Sequence, residues 1–354
     1  MKHKVIETLL EKNDRMISLI GGKYKAFEFM CWHYIDFAES LGFELYQDTH
    51  FLKKVREDSI LNQKALDEIQ KRNYFNELRF KEELNNMEKL KQKTKLSVGG
   101  GCFGPLTVAA SILGVERINR LSLTNAQFVE NTVDYVTSHM IRLAKEESKL
   151  GMDFFWIAEP LASLFSPRVF EKFCGKYLKK IFDSIEEPGY LHVCGKTIRH
   201  TEHMVATGAE VLSIDYCTDI YDSMRLVPPD VIIMGNINPM LLKEGKKEEI
   251  EVEVKKINEA CKNYKNFIFS TGCSIPEETP EENIFAAVKA TQEFRIYQKD
   301  TYKEIREYIK KIQSGNTLGV DKFSKSYKIA EYEASEIERI QRRYKYGKYK
   351  FKKS

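Results

Sequence analysis

Two hydrophobic textures divide the chain. Over the first ~95 residues apolar side chains recur at the 3.6-residue period of amphipathic helices. Residues 52–95 are dense in Lys, Glu and Asn, with Leu and Ile at helical spacing, the pattern of a solvated helical layer. From Leu96 to about Ala290 short apolar runs alternate with helical stretches. The runs are Leu96–Val98, Phe154–Ala158, Tyr190–Val193, Val211–Ile214, Val231–Met234 and Phe267–Phe269. Between them lie the amphipathic segments Pro167–Ile185 and Thr197–Thr207. Pro280–Phe294 also reads as a helix, with Thr279 ahead of a proline in the first turn. Strands alternating with helices imply parallel pairing through right-handed crossovers. Runs this apolar on both faces belong to strands buried on both sides. The simplest architecture is α/β, a TIM-type (β/α)8 barrel with a helical N-terminal region and a helical C-terminal appendix. A doubly wound open sheet is the alternative, because periodicity does not show closure. An eight-stranded barrel needs two strands more than these six; Met16–Ile20 and Gly42–Tyr46 are the candidates.

The expected organisation is therefore residues 1–95 as the mostly helical N-terminal part of the barrel domain, 96–294 as the barrel core, and 295–354 as a basic helical extension. That extension is rich in Tyr and Lys and contains Arg342-Arg343-Tyr344-Lys345. It reads as an exposed helical appendix, or as a docking surface for an acidic partner.

Composition narrows the class. Of 354 residues 42% are hydrophobic and 31% charged, enough to build a full core without disulfide staples. Lys and Arg number 56 against 52 Asp and Glu, a balance unlike the one-sided basic face of a dedicated nucleic-acid binder. Met1–Arg15 shows no secretory h-region, and the apolar stretch Pro105–Val115 is too short to span a bilayer. Seven cysteines at long spacings show no disulfide framework, so a reducing cytoplasm is the expected compartment.

The chemistry concentrates at strand ends. In Gly189-Tyr190-Leu191-His192-Val193-Cys194-Gly195, alternation along a strand points His192 and Cys194 the same way, just before a glycine turn. The C-terminal end of a barrel strand is where active sites lie. An imidazole and a thiolate on one face make half of a tetrahedral zinc site. Cys273, at the exit of Phe267-Ile268-Phe269-Ser270-Thr271-Gly272, is the candidate that closes it; three N and S ligands leave a position open for catalysis. The competing reading is a satisfied core histidine with ordinary buried cysteines. Glu159 in Ala158-Glu159-Pro160 reads as a fourth ligand or general base, or as a carboxylate bound to backbone amides at a turn. Asp215 ends another run and is a candidate for substrate or ligand-supporting contacts; Cys217 lies just past that strand end and is the weaker ligand candidate. Asn236 and Asn238, in Gly235-Asn236-Ile237-Asn238-Pro239, are candidate pocket residues. The stretch Ser97–Pro105 reads as a glycine-rich turn without the Lys-Ser/Thr of a P-loop, and Gly104 is its candidate substrate-binding position. Cys31, Cys102, Cys174 and Cys261 read as structural.

Taken together, these segments resemble the uroporphyrinogen decarboxylase superfamily, and within it the zinc- and corrinoid-dependent methyltransferase branch. The resemblance rests on Gly104-Pro105-Leu106-Thr107, Leu113-Gly114, Glu159-Pro160, His192-Val193-Cys194-Gly195, Thr207-Gly208-Ala209-Glu210, Ser213-Ile214-Asp215, Gly235 to Pro239, Gly272-Cys273-Ser274-Ile275-Pro276, Thr279-Pro280 and Asn283-Ile284. It implies a TIM barrel with zinc on His192, Cys194 and Cys273; Glu159 and Asp215, read from the strand ends, stand beside them as the catalytic candidates. It also implies a methyl group moved between a small substrate (a thiol acceptor such as coenzyme M, or a methylated donor) and a corrinoid. No Asp-x-His-x-x-Gly corrinoid motif is present in the sequence, so the corrinoid is expected on a partner protein. The decarboxylase proper fits less well, because its Arg-rich MRQAGR segment is missing and its chemistry has no use for the His-x-Cys pair. Asn238 stands where an Asp is common in the branch. Two further readings remain open: a barrel that binds a ligand or partner without catalysis, and a zinc hydrolase with Glu159 as base.

Overall fold

A computed structural model describes residues 99–264, 266–276, 278–291, 293 and 294, together with Asp67, Leu84, Asn85, Glu88 and Gln92. The chain divides into two compact units, Met1–Gln292 and Glu293–Ser354, and the sheet lies wholly in the first. The strand candidates Leu96–Val98, Met16–Ile20 and Gly42–Tyr46 lie outside the described residues, as does the 295–354 extension.

Among the described residues six parallel strands form one sheet: β1 (Gly99–Phe103), β2 (Phe154–Ala158), β3 (Gly189–Val193), β4 (Val211–Ile214), β5 (Ile232–Ile237) and β6 (Phe267–Thr271). Their spatial order is their sequence order, β1 to β6. A doubly wound sheet reverses direction at a switch point. No reversal occurs among the described strands, and the fold is α/β of the TIM-barrel type.

β1 corrects the sequence reading. The strand occupies Gly99–Phe103, inside the stretch read as a turn. Glycine weakens strands because it brings no side chain to pack. Here the neighbours bring them: a Cβ at Gly99 would overlap the Phe154 ring, one at Gly100 the Glu147 carboxylate, and one at Gly101 the Trp156 carbonyl. Glu147 and Met152 flank Gly100 from the helix Ala126–Lys149 and the turn after it, so that face of β1 looks outward to the helices. Gly99 and Gly101 therefore look into the barrel.

Register carries this assignment around the sheet. Gly101, Trp156, Tyr190, Val211 and Ile232 form one inward row. Phe103, Ala158, His192, Ser213, Met234 and Ile268 form the row above it, nearer the C-terminal ends. The alternate residues Leu191, Val193, Leu212, Ile214 and Ile233 are fully buried under the helical layer. The segment Pro167–Ile185 resolves into Pro167–Phe170, a π turn at Glu171–Gly175 and Lys176–Phe182. Ser166 caps its start by accepting the Val169 amide, and Asp219 caps Ile220–Leu226 in the same way. No helix among the described residues is long and apolar enough to cross a membrane.

Candidate metal centre at the strand exits

His192 is the next-to-last residue of β3, fully buried and inward-facing. Trp156 lies one row below, its ring 6.2 Å from the imidazole and tilted by only 15°. Trp156 in turn stands 5.9 Å from Tyr190, and Tyr190 4.7 Å from Phe154. This aromatic column leaves the imidazole little rotational freedom. From across the sheet Ser213 of β4 places its Oγ 3.0 Å from His192 Nδ1. The other nitrogen, Nε2, is 3.2 Å from Cys194 Sγ.

Cys194 leaves β3 one residue past its end. Gly195 then turns the chain with φ of 82°, a conformation that suits glycine. Cys273 arrives from the exit of β6, and its Sγ is 3.9 Å from that of Cys194. β5 separates β4 from β6 in the sheet, yet the loops after β4 and β6 touch above it. Gly272 permits this, since a Cβ there would collide with the backbone of Tyr216. Asp215 enters the same space from β4 and is nearly buried. Its Oδ1 accepts the Cys217 amide at 2.8 Å. One ligand atom from each of His192, Cys194, Asp215 and Cys273 falls within 4.8 Å of the others.

The donor set can be tested against zinc. Bonds of about 2.3 Å to sulfur and 2.0–2.1 Å to nitrogen, at tetrahedral angles, separate two sulfurs by about 3.8 Å and a nitrogen from a sulfur by about 3.6 Å. The observed 3.9 Å and 3.2 Å need adjustments of a few tenths of an ångström. A disulfide, with sulfurs about 2.05 Å apart, is excluded. The two thiols instead lie within hydrogen-bond reach of each other. The hydrogen bond from Cys194, with help from His192, holds Cys273 well below the usual thiol range, at about 5, against the opposing effect of burial. The same hydrogen bond, then burial, pushes Cys194 up.

The other sequence candidates occupy distinct places. Glu159, at the exit of β2, stands apart from the four-donor group. Its carboxylate accepts from the Leu106 amide at 3.0 Å, the Thr107 amide at 2.7 Å, the Thr107 hydroxyl and the Cys174 thiol. It thereby seats the N-terminus of the helix Pro105–Leu113, where an anion complements the helix dipole. Burial nevertheless raises its pKa to about 7, against the lowering by those hydrogen bonds. Gly104 makes room for this carboxylate, which a Cβ at that position would strike. Asn236 donates its amide to the carbonyls of Asp215 and Thr218 at 3.2 and 2.7 Å. Asn238 caps Pro239–Glu244 through the Met240 amide. Cys217 is exposed. Sequence reasoning did not single out Ser213, Trp156 or Thr218. The period of two marked Ser213 as sharing a face with Asp215, but only the β3–β4 register places it beside His192.

Comparison with known proteins agrees with this architecture. The family described as uroporphyrinogen decarboxylase (URO-D) matches residues 37–294. Methylcobamide:CoM methyltransferase MtaA of Methanosarcina barkeri is 31% identical over 199 residues, 55% of this chain and 58% of that protein. Methylcobamide:CoM methyltransferase MtbA of Methanosarcina mazei is 31% identical over 207 residues, 57% of this chain and 59% of that protein. A uroporphyrinogen decarboxylase of Prochlorococcus marinus is 26% identical over 241 residues, covering 64% and 68%. Among solved structures, a methyltransferase from Methanosarcina mazei superposes with a TM-score of 0.57 at 27% identity, covering 61% of this chain and 65% of that one. The chain thus spans less than two thirds of the length of these methyltransferases.

Proposed function

The chain belongs to the uroporphyrinogen decarboxylase family, and on that premise we propose that it is a zinc-dependent methyltransferase, moving a methyl group between a corrinoid carried by a partner protein and a small thiol acceptor or methylated donor. The observation that carries the reading is the convergence of His192, Cys194, Cys273 and Asp215 from three strand exits onto one space. Metal-free decarboxylation has no use for two facing sulfurs and an imidazole.

Each side chain has a definable task. The aromatic column and Ser213 orient His192, and an Nδ1–H donated to Ser213 turns the Nε2 lone pair toward the sulfurs as a ligand. Cys194 and Cys273 supply two sulfur donors. Asp215 supplies an oxygen, the hardest donor of the four and the one a substrate sulfur would replace. When bound, zinc would hold a substrate thiol as thiolate at neutral pH, or polarise a methylated heteroatom toward loss of its methyl group. Two thiolates balance the charge of the divalent ion, so a sulfur joining them stays electron-rich. Cys194 and Cys273 keep partial solvent exposure, the side from which a partner's corrinoid would approach.

Elemental analysis of the purified chain beside Cys194→Ser tests the metal. The expected result is about one zinc per wild-type chain and its loss in the variant. Methyl transfer from a methylated corrinoid to thiols, followed by corrinoid absorbance, then tests the reaction. A wild-type chain that takes up no metal after zinc is offered refutes the reading.

A further inference from the structure

Cys194 and Asp215 both lie just beyond their strands, where the ladder no longer fixes the backbone. The two exit loops are instead tied to each other. Thr218 donates its hydroxyl to the Gly195 carbonyl at 2.9 Å and accepts the Thr197 amide on the same oxygen at 2.9 Å. The Thr197 hydroxyl approaches to 3.3 Å. Both threonines are nearly or fully buried. The Thr218 amide closes a turn on the Asp215 carbonyl at 3.0 Å. Asn236 of β5 donates to the Asp215 and Thr218 carbonyls from the other side. One unbroken chain of hydrogen bonds thus runs from β5, through the loop that bears Asp215, to the turn that follows Cys194.

Resting on the zinc reading above, we propose that Thr218 is a positioning residue of the metal centre: its hydroxyl, bridging the Gly195 carbonyl and the Thr197 amide, sets the Cys194 sulfur against Asp215 and Cys273. The position needs a group that donates and accepts at once, which a hydroxyl does and an isosteric methyl does not. A ligand constellation tolerates only about 0.5 Å of misplacement. A loosened Gly195 turn moves the neighbouring sulfur by the backbone, where no rotamer change corrects it.

The test compares Thr218→Val with Thr218→Ser in the full chain, reading zinc affinity by competition with a chromogenic chelator. Thr218→Val is expected to bind zinc roughly 10- to 100-fold more weakly, the usual cost of losing a group that orients ligands. Thr218→Ser keeps the bridge and should stay within about threefold of wild type. Cobalt substitution gives an independent readout: the valine variant should lose intensity in the visible bands of the tetrahedral ion. A purely structural role predicts something else, equal loss of thermal stability in metal-free and metal-loaded protein with unchanged affinity, and that result overturns the proposal. Should the valine variant not fold, Asn236→Ala carries the test from the opposite end of the chain of bonds, with roughly tenfold weaker zinc binding expected and unchanged affinity again overturning the proposal. A wild-type chain without zinc affinity overturns the metal reading and this inference with it. Tight wild-type binding matched by Thr218→Val overturns this inference alone.

Discussion

Replacing Ser213 with alanine removes one hydroxyl and almost no volume, and the structure says which state should suffer. His192 has no solvent access, and its Nδ1 faces Ser213 Oγ at 3.0 Å. With metal on Nε2, the proton must sit on Nδ1. In Ser213→Ala that buried N–H loses its Ser213 acceptor, at a cost of about 1–3 kcal/mol. Without metal the imidazole can carry its proton on Nε2, which is 3.2 Å from the Cys194 sulfur, leaving a lone pair in place of an N–H where Ser213 was. The larger penalty therefore falls on the bound form. The affinity loss seen when a ligand's outer partner is removed, about 10- to 100-fold, corresponds to about 1.4–2.7 kcal/mol, the same range reached independently. Zinc competition titrations of wild type and Ser213→Ala, alongside urea unfolding of the two metal-free proteins, measure both halves of the argument. Affinity should fall by at least about tenfold while metal-free stability moves by less than about 1 kcal/mol. Affinity within about twofold of wild type would falsify the assignment of Ser213 as the partner that fixes the imidazole.

Glu159 gives a pH signature. Its folded pKa, raised to about 7 chiefly by burial, lies above the ordinary carboxylate value of 4.5, so the folded chain holds a proton that the unfolded chain releases. Its contribution is complete below about 4.5 and is lost as pH rises through about 7, by an upper bound of about 3 kcal/mol. Unfolding midpoints between these values should fall with pH in wild type and flatten in Glu159→Gln; parallel slopes refute the assignment. Gly104→Ala places a methyl group on the Glu159 carboxylate and should cost about 1–3 kcal/mol in urea unfolding. Chelator-treated protein at pH 6–7 should alkylate rapidly at Cys273, whose thiol is held at about 5, and added zinc should protect it; equal rates in Cys273→Ser would place the reactive thiol elsewhere.

Strands whose signal is carried by their own side chains were legible from sequence. Phe154–Ala158 and Val211–Ile214 fall where the apolar runs put them, and β5 starts within the expected run. β5 runs on past Met234, where the apolar run ends, through Gly235 and Asn236 to Ile237, because these residues stay paired with β6. Gly99–Phe103 read as a turn because the strand's packing is written in Phe154, Trp156 and Glu147 and not in its own composition. The His192 and Cys194 pair was legible from alternation alone. Cys273 needed the further assumption that strand exits converge, and its closeness to Cys194 depends on the β4 and β6 loops meeting at Gly272. For Glu159 the sequence left ligand, base and backbone-bound carboxylate open; the amides of Leu106 and Thr107 take its oxygens. Ser213 and Thr218 act across strands and loops, and pairing register is not written in local pattern.

The ring of Phe154 lies where a side chain of residue 99 would be. Two positions from different strands therefore fill one fixed volume between them, and neither can drift alone. A smaller residue at 154 opens a void that only a larger one at 99 can fill, and a larger residue at 99 is admissible only after 154 has shrunk. Among descendants of this sequence, bulk at the two sites should be inversely correlated, a record of packing that an alignment would display with no structure to consult.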